Sequence, residues 1–426
     1  MFKVADIFRW FVVVHDPKLI EEIRKLPDNI ASPKEAISEG IQTKYTLGDH
    51  IVANPYHIPV IAAKLTRALP ELVPEVYEEV VDSFNELISP TEDWISVRAL
   101  DTMKKVVARA SNRVFVGYPL CRDPDYVDLN VQYTVDVIKT STILRMVPRV
   151  LRPLVHSMLS NVPNGIRRGL KHLSPLIAAR RKAHEECGQE YPPDMLSWLM
   201  QVAVNEEQSD WYLTSRVLMV NFAAIHSSSM AFTHVLYDLA TYPEYTQRLR
   251  DEVEQAVKLH GWSKAALDEM PRVDSFIKES QRLNPLAVFL LNRTIGVATT
   301  ATHLNPETYE DPLRFDGFRF IKLKAQNPNH LTNHLTNGSL SQAYSSKFDA
   351  SAANVDSLGF GLGRHACPGR FFAANELKIM LAHVVTTYDV KLAEGDEGKR
   401  PDNVWLSTAC VPNPTAQVLF RKRAVT

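Results

Sequence analysis

The stretch that most constrains this chain is Phe360-Gly361-Leu362-Gly363-Arg364-His365-Ala366-Cys367-Pro368-Gly369-Arg370. It reads as a glycine-rich loop that delivers one cysteine to the mouth of a helix. Gly361 and Gly363 permit positive φ and close backbone approach to a flat ligand, which a Cβ would obstruct. Pro368 suits a first helical position, where its missing N–H is no loss. From Gly369 onward, Phe371, Phe372, Leu377, Ile379, Met380, Leu381, Val384 and Val385 predict an apolar helix ending near Tyr388. Cys367 then falls where unpaired N–H groups and partial positive charge favour a thiolate. A lone cysteine in a helical protein is more commonly a buried, inert thiol, so the residue by itself leaves both readings open.

The 426 residues, 45% hydrophobic and 23% charged, have a globular composition. No Gly/Ser-rich or Pro-rich linker and no internal repeat divides them, and one unit over 1–426 is expected. A formal net charge of −1 gives no reason to expect nucleic acid or an acidic partner. Cys121, Cys187, Cys367 and Cys410 are widely spaced without a Cys-x-x-Cys pair, which argues against a disulfide framework or a zinc site and fits a reducing compartment. No stretch approaches the ~20 apolar residues that span a bilayer. Ile7 to Val14 is short and interrupted by Arg9, and no basic region precedes an apolar one as in a signal peptide.

The pattern along the chain predicts a mainly α protein with a small β component near the start, in the 290s and at the C-terminus. Phe11-Val12-Val13-Val14 reads as a short buried strand. Asp16-Pro17 reads as an N-cap followed by a first-turn proline. Helical patterns recur over Ile58–Leu69, Val73–Leu87 and Leu100–Val116, and from Tyr126 to about Met200, punctuated by Pro148, Pro153, Pro163 and Pro175. His57 and Lys64 are basic groups on a helix after Pro55, and solvated surface charge is the simpler reading of both. Leu213 to Leu239 is apolar around most of a helix, as in a buried core helix. Its centre, Ala223-Ala224-Ile225-His226-Ser227-Ser228-Ser229, concentrates small and hydroxylic residues. These serve close packing, or bond back to the helix and open a groove. Glu279 and Arg282 share a helical face, which by spacing alone means a surface ion pair.

The order Phe360-x-x-Gly363-x-His365-x-Cys367-x-Gly369 resembles the haem-binding loop of the cytochromes P-450, with His365 in place of the usual arginine. The longer run through Phe371-Phe372-Ala373 is similar to fungal members, including terpenoid oxidases. The resemblance implies the cytochrome P-450 fold, a helical bundle around haem with small sheets. It implies Cys367 as axial ligand of the haem iron, and His365 as a donor to a haem propionate. Ala223-Ala224-Ile225-His226-Ser227-Ser228 aligns with the family's oxygen-binding groove. Ser227 matches the threonine there by its hydroxyl, and Ala224 and His226 replace a glycine and an acid. Catalytic roles are thereby implied for Ser227 and, as a relay or only a lining group, for His226. Glu279-x-x-Arg282, with Arg319 between phenylalanines at Phe318 and Phe320, resembles the family's buried triad. Arg293 sits where the family places a propionate-binding arginine, and His57 and Lys64 are weaker candidates for the same role.

Two departures from the family stand out. The membrane anchor and proline-rich hinge of eukaryotic members are lacking, so the chain looks N-terminally incomplete. The segment after Arg293 is short, without the turn signals of the hairpin that relatives carry. This predicts an unpaired sheet edge, exposed apolar faces at Phe11-Val12-Val13, poor solubility and weak activity, with a longer natural form as the competent enzyme. The resemblance implies a haem-thiolate monooxygenase that hydroxylates an apolar small molecule, on the fungal prior a terpenoid-like secondary metabolite. Electrons would come from NADPH through NADPH–cytochrome P-450 reductase, docking near Arg364, Arg370 and Lys378. The endoplasmic reticulum is the expected site for the family, and the cytoplasm for this chain as written. A haem-binding remnant without efficient turnover and a helical binding protein are the alternatives.

Overall fold

The computed structural model describes residues 1–5, 10–27, 29–30, 32–286, 289–291, 295–327, 347–393, 398–406 and 409–424. Arg293 lies outside the described residues, as do 328–346, most of the polar loop expected over 325–351. The first elements are β1 (Phe2–Ala5) and β2 (Trp10–Val14), paired antiparallel. The valine run of β2 favours extended backbone. Only Val14 is buried, and Phe11, Val12 and Val13 are half-buried, so the strand expected to be buried is a surface strand with its end tucked in. Asp16 caps α1 (Pro17–Lys25), its Oδ1 accepting the N–H of Lys18 at 2.8 Å and of Leu19 at 3.1 Å.

A short helical turn at His57–Pro59 and a π-helical stretch at Val60–Leu65 lead into α2 (Thr66–Leu87). The sequence pattern splits this region at its prolines, but the backbone runs helical through Pro70 and Pro74. Each proline removes one N–H, and burial of Leu69, Leu72, Val73 and Val76 holds the helix across the gap. Next come α3 (Ala99–Phe115), α4 (Pro124–Arg145) and α5 (Val162–Cys187), which ends on Gly188 in the left-handed conformation at φ 62°. Pro175 lies inside α5 rather than breaking it, whereas Pro153 and Pro163 stand in the first turns of their helices, where no N–H is lost.

The core forms around α6 (Asp210–Thr241), which packs against α3, α4 and α5. Beyond it lie α7 (Thr246–His260), α8 (Pro271–Leu283) and the cysteine-bearing α9 (Arg370–Thr387); α8 and α9 also pack on α6. Val217, Leu218, Phe232, Val235 and Leu236 of α6 are completely buried, as its all-round apolar pattern predicts. No helix among the described residues is long and apolar enough to cross a membrane.

Small sheets surround the helices. The strands are β3 (Ile95–Arg98), β4 (Phe289–Leu291), β5 (Ile295–Val297), β6 (Tyr388–Leu392), β7 (Val404–Leu406), β8 (Ala409–Val411) and β9 (Gln417–Lys422). One sheet has the order β1-β2-β5-β4, a second β3-β9-β6, and β7 pairs with β8. Strand β2 runs parallel to β5, with Val12 opposite Ile295 and Val14 opposite Val297, and β4 pairs antiparallel with β5. Only 292–294 separate β4 from β5. The short segment after Arg293 therefore leads straight into a strand that covers β2. The open edge expected beside Phe11-Val12-Val13 is paired on both sides, and the sheet's edges are β1 and β4.

Candidate active site

The cysteine loop is built from its glycines. Gly361 at φ 77° and Gly363 at φ 62° adopt left-handed conformations that disfavour any side chain. A Cβ on Gly363 would also come 2.8 Å from Cγ of Arg24, so α1 crowds that position rather than a flat ligand. Gly369, at φ −90°, has only Ile61 near a notional Cβ, at 3.7 Å, and is not required by sterics. The Gly361 N–H donates to Leu358 O at 2.9 Å, and the Cys367 N–H donates to Phe360 O at 2.7 Å, closing the loop onto itself. Pro368 precedes the N-cap Gly369 and so lies two positions before the first helical residue, Arg370, where its sequence context would place it.

Cys367 faces open space. Burial by the surrounding protein nevertheless pushes its thiol pKa up, against the lowering effect of the Gly369 and Arg370 N–H groups and the Arg370 guanidinium. The helix terminus acts in the expected direction, but desolvation outweighs it, so the terminus alone does not make the thiolate. Arg364 donates from Nε to His365 Nε2 at 3.1 Å and from Nη2 to Leu26 O at 2.5 Å.

On α6, Ser227 Oγ donates back to Ala223 O at 2.7 Å and to Ala224 O at 3.2 Å. Ala223 is exposed in mid-helix although Asn221 and Ile225 beside it are buried, so α6 presents one accessible face there. His226 points elsewhere. Its Nε2 lies 3.0 Å from Val131 O of α4, and burial lowers its pKa, so a neutral ring donates to that carbonyl. That bond occupies the one proton a neutral ring could pass on, and His226 ties α6 to α4. The sequence reading did not single out Glu376 of α9. Ser111 Oγ of α3 donates to its Oε1 at 2.7 Å, and burial pushes the carboxyl up to about 7 against the hydroxyls of Ser111 and Ser228. A lone glutamate inside the apolar run of α9 was the available signal.

The structure brings Glu279, Arg282 and Arg319 together in the interior. Arg282 donates from Nε and Nη2 to the two Glu279 oxygens, each at 2.8 Å. Arg319 Nε lies 3.0 and 3.2 Å from the same oxygens, and the Asp316 N–H donates to Oε1 at 3.0 Å. The surface ion pair that spacing alone suggests is therefore a buried cluster, with Glu279 wholly inaccessible.

Other basic candidates are committed elsewhere. His57 is buried, and Nη1 of the fully buried Arg216 donates to its Nδ1 at 2.8 Å. Burial, reinforced by that guanidinium, lowers the imidazole to about 4. It is not a solvated charge, and its Nδ1 is committed as an acceptor. Lys64 Nζ donates to Gln201 Oε1 at 2.7 Å. Lys378, expected on a docking face, is largely buried and paired with Asp274 at 2.6 Å. Arg370 donates to Cys367 O at 3.1 Å and stacks over Phe371, which leaves Arg364 as the exposed member of that trio.

A family model described as Cytochrome P450 matches residues 1–420. The chain belongs to the cytochrome P450 family. Cytochrome P450 monooxygenase 151 of Postia placenta is 39% identical, aligned over 99% of this chain and 86% of its own length. An ent-kaurene oxidase of Gibberella intermedia is 30% identical over 97% of this chain and 79% of its own. The alignment with the Postia protein extends over 447 positions against 426 residues here, so the relative carries residues within the aligned span that this chain lacks. A retinoic-acid-bound cyanobacterial CYP120A1 shares the fold at a TM-score of 0.69 and 16% identity, covering 99% of this chain and 91% of its own.

This chain is accordingly a cytochrome P450 monooxygenase, and membership implies haem, a redox partner and a small-molecule substrate. The residues present fit haem. The exposed Cys367 offers the soft donor that haem iron takes, its loop is held in shape by left-handed glycines, and α6 exposes Ala223 in mid-helix.

Proposed function

We propose that this cytochrome P450 hydroxylates an apolar small molecule, a terpenoid-like fungal secondary metabolite, using dioxygen and NADPH electrons passed through a reductase. In this reading Cys367 is the axial ligand of the haem iron. The observation that carries it is the exposed Cys367, pinned by its own N–H to Phe360 O at the end of the glycine loop. Bound haem supplies the oxygen activation, which thiolate donation favours. Because burial keeps the free thiol protonated, coordination itself would remove the proton from Cys367. In this reading Arg293 and His365 would hold the propionates, and Phe360, Gly363 and Gly369 belong to the loop that would receive the haem. The Glu279–Arg282–Arg319 cluster locks the core beside it. The main hydrophobic cluster runs from Leu47 to Phe420 and a smaller one joins Val14 and Ile20 to Val297, Leu358 and Leu362, which supports one unit over 1–426. The cytosolic face of the endoplasmic reticulum membrane is the site this reading implies. The substrate class rests on relatives such as the ent-kaurene oxidase.

Ser227 is the chain's own proton-positioning group in this reading, and His226 ties α6 to α4 without relaying protons. Ser227→Ala is expected to retain haem and fold normally while NADPH consumption is diverted to peroxide. Unchanged coupling of NADPH to product in that variant would remove Ser227 from proton delivery. The function itself is tested by reconstituting the purified protein with haem, an NADPH-dependent reductase and a panel of terpenoid hydrocarbons. Hydroxylated product that depends on NADPH supports the proposal. Haem binding without product from any of them would identify a remnant.

A further inference from the structure

His303 has no role in the readings above, yet it joins two parts of the site. It ends a short helix, Thr299–His303, and is 2% exposed. Its Nδ1 lies 3.1 Å from Arg282 O, and the Leu358 N–H donates to its Nε2 at 2.9 Å. A carbonyl only accepts and a backbone N–H only donates, so the tautomer is forced: the proton sits on Nδ1 and Nε2 is the acceptor. Burial, aided by the positive charges of Arg282 and Lys278, lowers the imidazole to about 4, which keeps it neutral. In return, Arg282 Nη1 donates to His303 O at 2.8 Å. Arg282 also stacks on Tyr309, whose hydroxyl donates to Asp356 O at 2.8 Å, two residues before Leu358. Leu358 is itself buried, and its carbonyl receives the Gly361 N–H.

We propose that His303 is a positioning residue that ties the buried Glu279–Arg282–Arg319 cluster to the start of the cysteine loop and so sets how Cys367 is presented to haem iron. The proposal rests on the reading of Cys367 as the iron ligand. One imidazole spans two backbone groups on separate segments, and both would be left unpaired in a dry interior without it. The loop's internal bonds, Gly361 to Leu358 and Cys367 to Phe360, then carry that fixed point forward to the sulfur.

The test compares two amides of different length at one position in the haem-loaded protein. The side chain of His303→Gln is long enough to place a carbonyl oxygen where Nε2 accepts from Leu358. His303→Asn reaches only toward Arg282 O. In the unmodified protein the Leu358 amide is expected to exchange with solvent more slowly than that of exposed Arg364. In His303→Asn and His303→Ala its exchange should accelerate about tenfold, as for loss of one buried hydrogen bond. The carbon monoxide complex of the reduced protein should also lose part of its thiolate-type Soret band. His303→Gln should restore both signals. If His303→Ala does not accumulate, the Asn–Gln comparison decides. Equal behaviour of Asn and Gln, or fast Leu358 exchange in the unmodified protein, would overturn the strut and leave His303 as packing. A thiolate-type band that survives in Cys367→Ser would instead defeat the ligand reading, and the exchange comparison would still judge the strut.

Discussion

Glu279→Ala is expected to yield little or no folded protein. Glu279 is wholly buried and accepts from both guanidinium groups and from the Asp316 N–H. Without it, Arg282 and Arg319, 2% and 7% exposed, remain charged inside the protein. Their other partners are neutral carbonyls: His303 and Pro312 for Arg282, and Glu310, Asp311 and Arg314 for Arg319. Those oxygens hold geometry but do not neutralise charge. Breaking a buried pair in this way costs ~3–5 kcal/mol, a large part of a total stability of about 5–15 kcal/mol. Glu279→Gln, which preserves shape and one acceptor, should fall between the two. Soluble yield and urea titration measure the effect, and an alanine variant with normal yield and midpoint would reduce the cluster to a dispensable contact.

The second large effect is loss of the fold in mild acid. Burial lowers His57, His303 and His383 to about 4 and His234 to about 3. An unfolded histidine titrates at ~6.5. The unfolded chain therefore takes up these protons first, and the stability these groups contribute is present above pH ~6.5 and lost as pH falls toward ~4. The shifts of His57, His303 and His383 correspond to about 3 kcal/mol each at full protonation and that of His234 to about 5 kcal/mol, so the group of them approaches the whole stability of a domain. Glu376 acts in the opposite sense. Its pKa is raised to about 7, so its contribution is present below the unfolded carboxyl value and is lost as pH rises through about 7. Burial raises Asp194, Asp238 and Glu252 in the same sense, and these carboxyls together offset part of the histidine contribution. The net expectation is a urea midpoint that falls between pH ~6.5 and ~4, less steeply than the histidines alone would give. His383→Gln should make that slope shallower, and Glu376→Gln should make it steeper while raising stability at pH ~8. A midpoint that holds constant down to pH ~4 would contradict the buried, neutral state of these rings.

The sequence shows these features unevenly, and the difference follows the range of the interactions. The Cys367 loop, the apolar circumference of α6 and the Asp16 cap are local patterns, readable wherever neighbouring residues alone set the conformation. Glu279 and Arg282 were readable as a pair, but their burial follows from Arg319, 37 residues beyond Arg282, and from the Asp316 backbone. His57 reads as an exposed base because its partner Arg216 lies on another helix, and Lys378 because Asp274 does. The prolines of α2 illustrate tertiary packing overriding local propensity. The pairing of β2 with β5 shows the same for the shortened 290s segment, since strand partners distant in sequence are invisible to periodicity. His303 and Glu376 escaped notice because each binds groups supplied by other segments, and no spacing rule marks them.

The central claim, that Cys367 places a thiolate on haem iron, is tested most directly by the absorption spectrum of the reduced carbon monoxide complex. The unmodified protein should show the thiolate-type Soret band. Cys367→Ser should lose that band and all monooxygenation, because a serine oxygen does not replace a polarizable thiolate. A thiolate-type band that persists in Cys367→Ser, or one that never forms in the haem-loaded unmodified protein, would contradict the assignment.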